Sequence, residues 1–263
     1  MGPEFDVPTP QPHFHPSTYV TPQHFVVDEL HTLNLGLFAV YVLTGLWACI
    51  SEDVFDIGGA HSMEHMYELA AQRIEIDMKG WFRAQRKKHP KRPLYQVPDF
   101  KLASLGNKEK PTLYAKAAET GSLVRYTADL VGRYRGILER GEALHAAGES
   151  LVQYLTITRE SGPQLTHSAR QGIADAIVRF HALREEAGIP WTPKFHLSLH
   201  LVDQCKEYGN PLHVATWVDE GLNRQLRDVC AKPHALVWAR RVLATTTHVL
   251  SSTNSGQKRP RLG

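Results

Sequence analysis

The stretch FVVDELHTLNLG at residues 25–36 decides how the rest of the chain is read. Apolar, β-favouring residues run into Asp28, Glu29 follows at once, and His31 stands three residues after Asp28. The pattern predicts a short strand over 24–27 that ends in a carboxylate, with an imidazole just inside the next helix. Desolvating a carboxylate costs several kcal/mol unless it is paired or metal-bound, so this stretch calls for a partner. The second acidic stretch, TWVDEGLNRQL at 216–226, is the candidate.

Working outward, residues 33–50 form the most apolar run, interrupted by Asn34, Gly36, Thr44 and Gly45. Leu30, Leu33, Leu37, Val40 and Tyr41 recur at helical spacing, so a buried core helix is predicted over 29–50 rather than a membrane span. Ser62 is a candidate N-cap for a long helix with Met66, Leu69, Ile74 and Phe82 on its apolar face, ended by Pro90 and Pro93. Further helices are predicted over 113–138, 144–158, 166–187, from Pro193 through Cys205, and over 219–244. Gly188 and the Gly209-Asn210-Pro211 turn supply stops.

The fold class that follows is mainly α, with one or two N-terminal strands. Residues 1–24 read as an extended Pro-rich arm with a tag-like start (MGPEF). Residues 25–250 read as one mostly helical domain, and 251–263 as a disordered basic tail.

Composition narrows the function classes. The net charge is +3, and its distribution matters more than its sum. One basic cluster is Arg83, Arg86, Lys87, Lys88, Lys91 and Arg92, with Trp81, Phe82 and Tyr95 interleaved. The other is Lys258, Arg259 and Arg261. Both suit phosphate contacts, and a solvated helix end is the plain alternative. Three widely spaced cysteines, Cys49, Cys205 and Cys230, argue against a disulfide framework and for a reducing, intracellular compartment.

Several short patterns carry possible chemistry. His13-Phe14-His15 with Tyr19 has the form of a rolling-circle nickase metal pair. Pro12 and Pro16 flank it and oppose a central strand, so a solvated arm is the plain reading. His61-Ser62-Met63-Glu64-His65 matches the inverted zinc-protease pattern His-x-x-Glu-His, which implies a zinc hydrolase only if a third ligand exists. His196 and His200 share a helix face at i, i+4 spacing, and a hydrogen-bonded pair at the core edge is the bland reading. Asp28 with Asp219 and Glu220 are the carboxylates weighted most, because acids from distant positions hold the two divalent ions of phosphoryl transfer. For Glu220 the alternative is a helix-start acid favoured by the macrodipole.

Taken together, three stretches resemble the RNase H-like DDE core of cut-and-paste DNA transposases of the CACTA and Kyakuja–Dileera–Zisupton type. VVDELHTLNLGLF (26–38) resembles the segment in which the second catalytic Asp is followed by Leu-His and Leu-Gly pairs. PKFHLSLHL (193–201) resembles the Pro-Lys-x-His helix before the last acid, and GNPLHVATWVDEGLNRQL (209–226) the segment that carries it. TLYAKAAET (112–120) is similar to a patch in the family's helical insertion.

The resemblance implies that 25–50 and 193–244 are core-like and that 51–192 is an insertion. It implies Asp28 and Glu220 as metal ligands for Mg2+ or Mn2+, Asp219 as the alternate acid, and His31 as an orienting group. It also implies DNA as partner, with self-association, no membrane and a nuclear location. The family's first Asp lies on an earlier strand, and here only the Pro-rich arm precedes Phe25. The expectation is therefore a truncated C-terminal part that binds DNA, without strand transfer of its own. The alternatives are a non-catalytic helical DNA-binding or scaffold protein and, more weakly, a zinc hydrolase using His61 and His65.

Overall fold

A computed structural model describes residues 26–58, 60–217 and 227. The described chain is helical, with no strand among those residues. A π-helical segment, Leu30–Leu37, leads into α1, Phe38–Ser51. Then come α2 (Met63–Lys88), a 3-10 turn (Leu102–Leu105), α3 (Ala117–Tyr134) and α4 (Gly141–Glu160). The described part closes with α5 (His167–Leu183), α6 (Pro193–Tyr208) and the one-turn α7 (Pro211–Val214).

The predicted strand over 24–27 is corrected where it can be seen. Val26 and Val27 have no regular secondary structure, and the Val27 N–H donates to Gln204 Oε1 at 2.7 Å instead of to a neighbouring strand. Their β-branched side chains favour extended backbone, but a strand exists only where a second one offers a ladder. His24 and Phe25 lie outside the described residues, as do His13, His15, Asp219, Glu220 and the Lys258 to Arg261 run.

α1 is the axis of the core. Phe38, Tyr41, Val42, Leu46, Cys49 and Ile50 are fully buried, and with Leu33 and Leu37 they form one hydrophobic cluster that runs through to Cys205. Burying each such Leu or Phe side chain contributes about 2 kcal/mol. The stretch Leu30–Ser51 is apolar and long enough to cross a membrane by composition, yet it lies largely buried among the other helices. Neighbours follow in the order α1, α3, α4, α5, α6, and α6 returns to pack on Leu30–Leu37, so these helices close a ring.

Two glycines permit the closure. A Cβ on Gly36 would stand 2.7 Å from Lys194 Cδ, so its absence lets the start of α6 approach the first turn. Lys194 Nζ then donates to the Leu35 carbonyl at 2.8 Å. Gly209 ends α6 at φ 78°, a conformation few other residues adopt. That turn aims Asn210 into the interior. Fully buried, its Nδ2 donates to the carbonyls of Thr158, Ser161 and Gly162, while its Oδ1 accepts the Leu212 N–H at 3.1 Å.

α2 starts where the sequence places it. Ser62 caps it by accepting the His65 N–H at 3.1 Å. Ala70, Ile74, Met78 and Phe82, four residues apart, give one buried stripe. Tyr126 of α3 donates from its hydroxyl to Asp77 at 3.0 Å, and Arg133 grips the same carboxylate through both terminal nitrogens. The basic end beyond Phe82 stays in solvent: Arg83, Arg86, Lys87, Lys88 and Lys91 are exposed and Arg92 is half-buried.

Candidate functional site

Asp28 occupies the entry to the first helical turn and acts as its cap. Its Oδ2 accepts the His31 N–H at 2.9 Å and lies 2.5 Å from His31 Nδ1. Its Oδ1 accepts the Thr216 N–H at 2.8 Å, across 188 residues of chain. The predicted partnership of Asp28 with His31 is therefore present, and the start of the 216–226 stretch does meet Asp28. Burial pushes the Asp28 carboxyl up, but the N–H groups of Thr216 and His31 and the His31 ring outweigh it and hold the group below the usual carboxylate range.

Glu29, one residue on, has the opposite environment. It is buried beneath the same turn, with Tyr154 donating from its hydroxyl to Oε1 at 3.2 Å and no partner on Oε2. Burial pushes its carboxyl up to about 7, the Tyr154 hydrogen bond offsetting only part of this. Glu29 lines a cavity of about 530 Å³ together with Asn34, Lys91, Tyr95, Arg159 and Trp217, whose indole N–H is also buried without a partner.

The loop 91–95 separates that cavity from a second one of about 400 Å³. Lys91, Pro93 and Tyr95 face the first, and Arg92 and Leu94 face the second. The segment is held by Tyr95 N–H to Ser122 Oγ at 3.0 Å and by Arg159 Nη1 to the Pro93 carbonyl at 3.1 Å.

The other patterns fare differently. His61 precedes α2, so His61 and His65 do not project from one helix; the His65 ring accepts the His61 N–H at 3.4 Å and the rings stack. His196 and His200 do lie one turn apart on α6, exposed, with their Nε2 atoms 2.9 Å apart in a mutual hydrogen bond. Among the described residues no three His, Cys, Asp or Glu side chains converge as a metal site would need. Cys49 and Cys205 are buried thiols whose pKa burial pushes up to about 12 and about 11, which leaves them unreactive.

Sequence reading missed Glu29, Arg125 and Arg159 as site residues. The available signal for Arg125 was a charge set inside the apolar run Leu123, Val124, Arg125, Tyr126. Arg159 carried no such mark. No protein-family model, curated protein or solved structure matches this chain.

Proposed function

We propose that this chain is a transposase-derived DNA-binding protein that carries stretches of a DDE-type core. The observation that carries the reading is the hydrogen bond from Thr216 N–H to Asp28 Oδ1 at 2.8 Å. It joins two of the three stretches that resemble the family. The third meets the first through Lys194 Nζ, which donates to the Leu35 carbonyl. In a DDE core these stretches must meet, because distant acids share the metal ions. The exposed basic end of α2 supplies phosphate contacts, with Arg86 resting over the Phe82 ring.

Asp28 itself favours the non-catalytic form of this reading. Both of its oxygens already accept hydrogen bonds from the protein, so its work in this chain is to cap a helix and tether Thr216.

Two experiments separate the parts. Affinity for a 30-base-pair duplex is expected to fall with salt, log K against log salt having a slope of roughly −3 or steeper. Replacing Arg83, Arg86, Lys87 and Lys88 with Gln should flatten it, and a wild-type affinity independent of salt would remove DNA binding. For the metal, calorimetric titration of Mn2+ into the wild type and the Asp28→Asn, Glu220→Gln double variant is the test. Identical titrations would remove the metal-binding role of these acids.

A further inference from the structure

The second cavity contains a charge that no described residue meets in an ion pair. Arg125 of α3 is 9 % exposed, and its Nη1 donates to Thr156 Oγ1 at 3.1 Å. Its Nη2 is buried with no partner, and so is the indole N–H of Trp81 on the same cavity wall. Arg92 enters from the 91–95 segment and Arg159 of α4 lies nearby; both oppose the charging of Arg125, and Arg92 opposes that of Arg159. None of these three arginines forms a salt bridge with a described residue.

The remaining charges around the cavity do not fill the gap. Arg133 is matched by Asp77 and Asp129, and Arg135 by Glu142. Exposed Glu149 on the wall and Glu160 at the end of α4 favour the Arg125 charge through space, but neither forms an ion pair with any of the three. Burial together with Arg92 and Arg159 pulls the Arg125 pKa down to about 10, so the guanidinium keeps its proton at neutral pH. A buried cation that keeps its charge, with a donor left over, is stabilised by an oxyanion.

We infer that this cavity, between Trp81, Arg92 and Arg125, binds the phosphoryl group of a nucleotide-sized ligand. The charge and the two unused donors call for a phosphate rather than a carboxylate, since Arg92 and Arg125 approach from different elements and a tetrahedral anion offers oxygens in both directions. The volume of about 400 Å³ holds more than the anion, leaving room for a sugar or base. The cavity opens beside the basic end of α2, and the inference deepens the DNA-binding reading given above by adding a discrete site to a diffuse surface.

Calorimetry on the full chain tests it with three probes: inorganic phosphate, a deoxynucleoside 5′-monophosphate, and a 30-base-pair duplex. The wild type should bind the monophosphate, and Arg92→Ala and Arg125→Met should each weaken that binding tenfold or more. Arg125→Met should also melt at or above the wild-type temperature, because an apolar side chain of similar volume relieves an unpaired buried charge. Arg92→Ala, at a half-buried position, keeps the test valid if Arg125→Met does not fold. Equal phosphate and monophosphate affinities in wild type and both variants would overturn the site, as would no binding by the wild type at millimolar ligand.

The duplex arm identifies the source of the phosphate. Weakening of both monophosphate and duplex in the two variants assigns the cavity to a nucleic-acid strand, and weakening of the monophosphate alone assigns it to a free nucleotide. Duplex binding without monophosphate binding sinks the cavity and leaves the DNA-binding reading intact. Monophosphate binding without duplex binding does the reverse.

Discussion

Asp28 and Glu29 are adjacent carboxylates on one turn of chain, and the fold treats them in opposite ways. Asp28 sits at the helix entrance, where unsatisfied backbone N–H groups gather, and accepts hydrogen bonds from His31 and Thr216. Its charge is stabilised. Glu29 points inward, meets one tyrosine hydroxyl, and carries an oxygen with no donor. Its charge is opposed. Backbone N–H donors thus do for Asp28 what a single neutral hydroxyl cannot do for a fully desolvated neighbour.

The largest effect expected from breaking this contrast lies at Glu29. Its folded carboxyl keeps its proton up to about pH 7, while the unfolded chain gives it up near 4.5. Between those values the folded state holds the extra proton, so the contribution of Glu29 to stability is fully present below pH 4.5 and is lost as pH rises through 7. The loss is on the order of 3 kcal/mol. In Glu29→Gln, urea denaturation at pH 4 and pH 8 should no longer show that loss.

Asp28→Ala comes next. It removes a cap and the Thr216 tether together, at a cost of about 2 kcal/mol at neutral pH. Because the folded carboxyl is depressed, the wild-type advantage should vanish as pH drops below the usual carboxylate range, which acid denaturation of both proteins would register. Tyr154→Phe removes the one donor to Glu29 and should cost about 1 kcal/mol. It should also move the Glu29 titration above pH 7, measurable as a shifted midpoint in the stability profile. His31→Ala should have the smallest effect, about 0.5 kcal/mol or less by thermal denaturation, because the ring is half exposed to solvent.

Much of the fold is legible in the sequence because helical periodicity is a local property. The Ser62 cap, Pro193 at a helix start and the Gly209-Asn210-Pro211 turn all stand where they were read, and the helix predicted over 29–50 is present but π-helical over Leu30–Leu37, with non-helical backbone at Gly36. Asp28 with His31 is legible for the same reason, being three residues apart. The lack of a strand at Val26 and Val27 is not, since strand formation depends on a neighbour that sequence alone does not supply. The arginine cavity is the least legible feature. Arg125 and Arg159 come from different helices and Arg92 from a loop, and only the packing of α3 on α4 brings them together.

The closure of the ring also has a kinetic side. Val27 meets Gln204, Lys194 meets Leu35 and Thr216 meets Asp28 across separations of 177, 159 and 188 residues. Contacts of such span yield nothing until the helices between them have docked, so they are expected to form on the native side of the folding barrier. Substitutions there should accelerate unfolding while leaving the refolding rate nearly unchanged. The seam at Asp28 then governs how long the native state persists rather than how quickly it is reached.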